Sequence, residues 1–464
     1  MDREIFRSLT KNRVLLLDGA TGSNLLKAGM PAGVCTETWV LEHPRAIQGL
    51  QRAYVEAGSQ ILFAPTFSAN AIALKERQVD MPVEEINRRL VALSREAADG
   101  RALVAGDMTM TGKQLFPAGT LTFDRLVDCY EEQAAALRDA GVELFVVETM
   151  VSLQEMRAAV LAVRRCCDLP ILASFTVDEN GYTFLGTEIT AAAVTLEGMG
   201  VDAVGVNCSM GPEQMLPVVE KLREATGLPV LAKANAGSPR QEEGRVVYPM
   251  DARQYVIHAE QMADAGVSLL GGCCGTTPEF IKEMREMLER KGLYRPIGRI
   301  KRGPEKQEQT VSEPDGCGGA SGEDRCRLSP SRYLATDRKL FCLDTMTSLS
   351  RAGCVSENPG LAECLACGEY EDIADELGDL KDGQLLLVDL DGLGSEANER
   401  LESFAAQISA SGMPVCFCAS SLQHLEEALR YYCGIAAVRL PDPADREARR
   451  ILSRYGAVEC GIRT

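Results

Sequence analysis

A chain of 464 residues with 45% apolar and 25% charged side chains is long enough for two or three packed domains. Its 67 acidic residues against 49 basic ones leave a formal net charge of -18, which opposes nucleic-acid binding, since that draws most of its affinity from neutralising phosphates. No apolar run reaches the roughly 20 residues of a membrane-spanning helix, and no basic-then-apolar signal segment opens the chain, so the 17 cysteines read as reduced cytoplasmic thiols and not as a secreted disulfide scaffold.

From the N-terminus onward, short apolar or β-branched runs alternate with amphipathic stretches, the pattern of βα units around a parallel sheet. The runs fall at 14–18, 60–64, 102–107, 143–148, 170–175, 203–207, 229–233 and 267–272. This alternation predicts an α/β fold in which residues 1–295 form a (β/α)8 TIM barrel, whose catalytic groups sit on the loops that follow the strands. A doubly wound sheet is the rival, but Asp18-Gly19-Ala20-Thr21-Gly22 after the first run lacks the glycine spacing of a dinucleotide fold.

Residues 296–332 turn polar and rich in Gly, Pro, Glu, Ser and Lys, a composition expected of a linker. Over 333–464 the βα pattern resumes, with strands expected at 385–389, 415–419, 435–438 and 457–462 and helical patterns before and between them. That is about half a barrel. An open parallel sheet exposes unpaired edges, so it is expected to dock on the first domain, on a second copy of the chain or on another protein.

The chemistry concentrates in Gly271-Gly272-Cys273-Cys274-Gly275-Thr276-Thr277-Pro278 and in Val206-Asn207-Cys208-Ser209. Adjacent cysteines meet disulfide geometry only with strain, but they can share one metal. Three thiolates with a vacancy is the pattern of catalytic zinc, whereas structural zinc takes four protein ligands. The plain alternative is three buried apolar thiols. On the predicted strands, Asp18 ends the first, Glu148 the fourth, Asn207 and Cys208 follow the sixth, and Cys273 and Cys274 follow the eighth. Parallel strands bring all of these to one mouth.

Zinc facing three thiolates and two carboxylates suits a substrate carrying both a thiol and an ammonium. A metal-bound thiol is deprotonated at neutral pH, and its sulfur would attack an electrophilic methyl group. Asp18 and Glu148 also read as helix caps or ion-pair partners. For Asn207 and Asn235, hydrogen bonding to loop backbone and contact with substrate stand level. His43, His258 and His424 have no partner in sequence. The pairs Cys364/Cys367 and Cys416/Cys418 read as buried or incidental thiols, because no second ligand pair accompanies them.

These residues resemble the homocysteine S-methyltransferase family, especially the N-terminal module of cobalamin-dependent methionine synthases. The likeness rests on Asp18-Gly19-Ala20-Thr21-Gly22, Glu42-His43-Pro44, Pro65-Thr66-Phe67-Ser68-Ala69-Asn70, Glu148-Thr149-Met150 and Phe175-Thr176-Val177-Asp178-Glu179-Asn180-Gly181. It continues through Asn207-Cys208, Ala234-Asn235-Ala236-Gly237 and the Gly-Gly-Cys-Cys-Gly-Thr run. Pro65 and Val40 depart from the family pattern, where Asn is usual at both positions.

The resemblance implies that Cys208, Cys273 and Cys274 bind Zn2+, that Asp18 and Glu148 hold the amino group of homocysteine, and that backbone at Gly19 and Ala20 meets its carboxylate, with Asn207 and Asn235 nearby. The implied product is methionine. No Asp-x-His-x-x-G surrounds any histidine, so the donor is expected to be a methylated corrinoid such as methylcobalamin on a separate protein. The alternatives are S-methylmethionine or another donor, and a non-catalytic assembly subunit of a corrinoid methyltransferase system.

The C-terminal part weakly resembles a truncated pterin-binding domain, through Pro414-Val415-Cys416-Phe417-Cys418-Ala419-Ser420-Ser421 and Arg450-Ile451-Leu452-Ser453-Arg454-Tyr455-Gly456-Ala457. Cys418-Ala419 and Arg439-Leu440 replace the polar residues that would meet a pterin. It is therefore expected not to bind folate and to serve docking or assembly, with homo-oligomerisation through the open sheet as one outcome.

Overall fold

The apolar runs of the N-terminal part are realised as an eight-stranded parallel sheet. The computed structural model describes residues 1–298 and 332–462, apart from 117, 243–244, 369–371, 394–400, 441 and 444. Most of the expected linker lies outside the described residues.

The strands are β1 (Leu15–Leu16), β2 (Ile61–Phe63), β3 (Leu103–Met108), β4 (Leu144–Met150), β5 (Ile171–Phe175), β6 (Ala203–Asn207) and β7 (Val230–Ala234). A surface hairpin of β8 (Arg240–Glu242) and β9 (Arg245–Val247) follows, then β10 (Leu269–Gly272). The order β1-β10-β7-β6-β5-β4-β3-β2 returns to its start through a parallel bridge between Leu17 and Ile61, which closes the barrel.

Alternation along the strands decides what fills it. Leu15, Leu17, Ile61, Phe63, Leu103, Ala105, Leu144, Val146, Leu172, Ala203, Leu231 and Leu269 form a separate apolar cluster inside the ring. Advancing two residues beyond this plug reaches Asp107, Glu148, Ser174 and Lys233, and advancing four along β6 reaches Asn207, all buried. The barrel is thus packed with aliphatic side chains below and polar ones at its C-terminal mouth.

The C-terminal part contains the expected parallel sheet, in the order β13 (Ser348–Ser350), β14 (Gln384–Asp389), β15 (Val415–Cys418), β17 (Ala437–Arg439), β18 (Val458–Glu459). It also contains a small antiparallel sheet of β11 (Tyr333–Thr336) and β12 (Leu340–Cys342), where helical pattern was expected, and β16 (Gly434–Ile435), which begins the run expected as one strand over 435–438. Its turn is local chemistry, with Thr336 Oγ1 accepting from the amides of Arg338 and Lys339. Such short hairpins carry too little periodicity to be read as strands.

One face of the parallel sheet is covered by the barrel itself. The barrel helix Ile189–Gly198 (ITAAAVTLEG) is apolar on nearly all sides, as a helix buried from two directions must be. Its Ile189, Ala192 and Leu196 join the barrel's outer core, while Ala191 and Val194 join Leu334, Leu385, Leu387, Cys416, Ile435 and Ala437. A second contact is polar. Arg157 is fully buried and donates to the Leu429 and Arg430 carbonyls at 2.8 and 3.3 Å, capping helix Leu422–Tyr431 with a positive charge where its dipole is negative. Tyr431 adds a hydroxyl bond to Asp124 at 2.9 Å.

At one point of contact between the two parts, two glycines meet. A Cβ on Gly456, whose φ is +69°, would lie 2.9 Å from the Gly198 carbonyl carbon. Gly456→Ala therefore adds left-handed backbone strain to a clash with main chain, and should cost about 2 kcal/mol or more. A urea midpoint equal to that of the unmutated protein would refute this docking geometry.

Candidate metal and substrate centre

The three cysteines converge. The Sγ atoms of Cys208, Cys273 and Cys274 all lie within 4.8 Å of one another, close to the spacing of about 3.8 Å that tetrahedral zinc with 2.3 Å bonds imposes. Cys208 follows β6 and is held by its amide on the Lys233 carbonyl at 3.0 Å, while the Cys273 amide binds the Ala234 carbonyl at 2.7 Å. Both ligand loops therefore hang from the end of β7.

Three thiols so close cannot all ionise without a cation. Hydrogen bonds from Cys208 and then Cys273, with a further one from the Tyr248 hydroxyl, pull Cys274 down to about 3. Donating to Cys208 and Cys274 pushes Cys273 well up. Cys208, lowered by Cys273 but raised by Cys274 and by burial, stands at about 11. Sulfur donors held together with one proton-poor member fit a soft divalent ion.

The backbone at this rim is strained. Thr149, Cys208 and Ser209 adopt φ values of 62°, 62° and 52°, a region costing L-residues about 1–2 kcal/mol each. Asn207 holds two of these turns together. Its Oδ1 accepts from the Thr149 amide at 2.9 Å and from Ser174 Oγ at 2.8 Å, and its Nδ2 donates to Thr149 Oγ1 at 2.7 Å. Its amide is thus engaged within the protein. Asn235, equally buried, leaves Oδ1 without a hydrogen-bond partner among the described residues.

Asp18 and Glu148 reach the same mouth, but a cation absent from the sequence reading lies between them. Lys233 Nζ stands 3.1 Å from Asp18 Oδ1, 3.9 Å from Glu148 Oε2 and 3.6 Å above the Phe63 ring. Burial opposes its charge, yet Asp18 and Glu148 overcome that and raise its pKa. Burial pushes Asp18 up, while Lys233 and the Phe63 amide draw it back; the short contact holds the two as an ion pair. The Phe63 amide donates to Asp18 Oδ2 at 2.8 Å.

To reach Asp18 the lysine must cross β10, which lies between β7 and β1. It crosses at Gly271, its partner in register. A Cβ there would meet Leu17 Cβ at 2.8 Å, the Asp18 carbonyl at 2.9 Å and Lys233 Cγ at 3.1 Å. The first glycine of the Gly-Gly-Cys-Cys run is the gap through which the ion pair forms. Gly19 is restricted in the same way by Tyr54 and Thr276, and the Ala20 amide already donates to Thr276 Oγ1 at 3.1 Å.

Sequence reasoning also missed Asp107 and Tyr248. Asp107, at the end of β3, is buried with no hydrogen-bond partner for Oδ1 among the described residues, and burial followed by the Glu148 charge pushes its pKa well up. Strand parity was the available signal for Lys233 and Asp107, since both continue an inward-facing apolar series; Tyr248, on the loop after β9, had none. Of the two other cysteine pairs, Cys364 and Cys416 are buried, Cys418 is half-buried and Cys367 is exposed.

The family model for homocysteine S-methyltransferase matches residues 15–288, and the chain belongs to that family of methyltransferases. Methionine synthase of Mycobacterium tuberculosis is 27% identical over 464 aligned residues, covering 94% of this chain and 36% of the relative. Methionine synthase of Mycobacterium leprae is 31% identical over 307 residues, covering 62% of this chain and 25% of the relative. The chain thus spans about a third or less of the curated relatives it matches. The crystal structure of the homocysteine methyltransferase MmuM from Escherichia coli, metallated form, shares the fold with a TM-score of 0.51 at 24% identity, over 60% of this chain and 98% of that one. Among the described residues no helix is long and apolar enough to cross a membrane.

Removing the cation tests the electrostatics. Lys233→Met strands Asp18 in the core and should cost about 3 kcal/mol near pH 8. In that variant the folded pKa of Asp18 rises further above its unfolded value of about 3.9, so the fold takes up the proton first and the deficit narrows as pH falls. Chemical denaturation at several pH values measures this; a deficit that grows toward acid would contradict the ion pair.

Proposed function

We propose that this chain transfers a methyl group to the thiol of homocysteine to give methionine, with Zn2+ held by Cys208, Cys273 and Cys274. The observation that carries the reading is the convergence of the three Sγ atoms within 4.8 Å at the mouth of the barrel, in a member of this family. Zinc, when bound, supplies a Lewis acid that keeps an incoming thiol deprotonated at neutral pH.

The chain's own residues do the rest. Buried carboxylates at the mouth, Asp18 and Glu148 among them, favour an ammonium; of the backbone at Gly19 and Ala20, the Gly19 amide is the one assigned to the substrate carboxylate, since the Ala20 amide donates to Thr276 Oγ1. Asn235, whose Oδ1 has no hydrogen-bond partner among the described residues, is the asparagine assigned to substrate, while Asn207 braces the rim. The substrate thiol gives up its proton to solvent; its sulfur then forms the bond to the methyl carbon as the bond from that carbon to the donor breaks.

We assign the donor to a methylated corrinoid carried by a separate protein in the cytoplasm, on the likeness to relatives named methionine synthase. The C-terminal part has its Ser pair committed locally: Ser421 caps helix Leu422–Tyr431, and Ser420 donates through Oγ to Asp391 at 2.9 Å. A pterin edge would find few polar groups there, and unmatched buried polar groups are costly. It serves as a docking and assembly module, with self-association through its open sheet as one form of that role.

The purified protein should hold about one zinc per chain and form methionine from homocysteine with methylcobalamin in a donor panel that includes S-methylmethionine and betaine. Cys208→Ala should lose the zinc and the activity together; retention of either would sink the proposal. Calorimetric titration of the full chain with methyltetrahydrofolate should show no binding, and tight binding would overturn the assignment of the C-terminal part.

A further inference from the structure

One side chain that touches the cysteine centre comes from outside the barrel strands. Beyond Ala236 the chain leaves the rim, runs out through the β8–β9 hairpin and returns at Tyr248. The neck of this excursion is pinned to a ligand residue: the Met250 amide donates to the Ala236 carbonyl at 3.0 Å, and the Ala236 amide donates to the Cys274 carbonyl at 2.9 Å. The far end is open to solvent, with β8 exposed along its length and Val246 of β9 63% exposed. Tyr248, between the two, is half-buried.

The Tyr248 ring lies on Gly275, the residue that follows the two adjacent cysteines. A Cβ at Gly275 would come within 2.5 Å of Tyr248 Cβ and 2.6 Å of its Cγ, and the φ of Gly275 is +84°, so both the backbone and the space require glycine here. This packing sets the phenol beside Cys274, and its hydroxyl donates to Cys274 Sγ. Cys208 and Cys273 donate to the same sulfur, but thiols give up their protons when they ligate a metal ion. Of these three side chains, the phenol alone then still has a proton to donate.

We infer that Tyr248 is a positioning residue for thiol activation: its hydroxyl stays on the Cys274 thiolate in the metal-bound state and draws electron density from that one ligand. The ion is thereby left a stronger Lewis acid toward an incoming thiol, as partners of metal ligands commonly arrange. This rests on the zinc and thiol-methylation reading above and deepens it, giving Cys274 a tuning partner that comes from the hairpin.

Tyr248→Phe keeps the ring over Gly275 and removes only the hydroxyl. In the cobalt(II)-loaded full chain without substrate, its sulfur-to-metal absorption band should move to lower energy, because a sulfur lone pair without its hydrogen bond is easier to oxidise. The affinity for homocysteine, read from the same band at one pH, should fall about 10- to 100-fold. Val246→Ser, at the exposed part of the hairpin, should change neither. A band in Tyr248→Phe that matches the unmutated protein overturns the inference even if methionine formation drops, since a purely structural role would leave the ligand field as it was. An unchanged homocysteine affinity, or an equal shift in Val246→Ser, overturns it too. If the unmutated protein shows no sulfur-to-cobalt band, the metal reading itself fails and the inference with it. If only Tyr248→Phe takes up no cobalt, a crystal structure of the unmutated metal-loaded protein decides. Tyr248 Oη within hydrogen-bonding reach of Cys274 Sγ supports the assignment; a hydroxyl bound to the metal or turned to solvent ends it.

Discussion

The mouth of this barrel is organised by a lysine that crosses a strand. Lys233 leaves β7, passes over Gly271 of β10 and meets Asp18 beyond β1 at 3.1 Å. Such a pair is expensive to desolvate and stabilises only when its remaining groups are matched. Here the Phe63 amide and ring complete the matching. The same strand that must be bare at Gly271 delivers Cys273 and Cys274 immediately afterwards, and the same β7 end that carries Lys233 supplies the carbonyls that hold the Cys208 and Cys273 amides. Charge placement and ligand placement thus share one piece of backbone.

Around that piece, strain is concentrated where the chemistry is. Thr149 and Cys208 carry left-handed backbone, and a single buried amide, Asn207, ties the turn at Thr149 to the loop that bears Cys208. A barrel rigid enough to hold these turns needs its outer helices covered. The C-terminal sheet contributes to that cover by burying the second face of helix Ile189–Gly198 and by receiving Arg157. Its parallel edges are not its main apolar liability; its face is, and the barrel occupies one side of it.

Much of this is legible in the residues. The eight strands of the barrel lie within a residue or two of the predicted runs, because doubly covered parallel strands read as continuous apolar segments. The three thiols group together on sequence grounds because parallel closure brings all strand ends to one rim. Lys233 escapes notice because it sits in Val-Leu-Ala-Lys-Ala, a run that reads as core; only the inward phase set by Leu231 shows that the lysine points into the barrel. Asp107 reads as a plain strand end until the inward phase of Leu103 and Ala105 is carried on to it. Asn207 stands level between two roles in the sequence, and its three hydrogen bonds show where its polar capacity goes. The β11–β12 hairpin is hidden because its strands are too short for periodicity and its turn is fixed by one threonine hydroxyl.

Zinc K-edge X-ray absorption on the purified protein, before and after addition of homocysteine, examines the thiolate centre itself. Three sulfur neighbours at about 2.3 Å with one lighter ligand at rest, becoming four sulfurs once the thiol is present, is the expected result. Fewer than three sulfurs at rest, or a coordination shell indifferent to homocysteine, would contradict a zinc site built from Cys208, Cys273 and Cys274 and open to an incoming thiol.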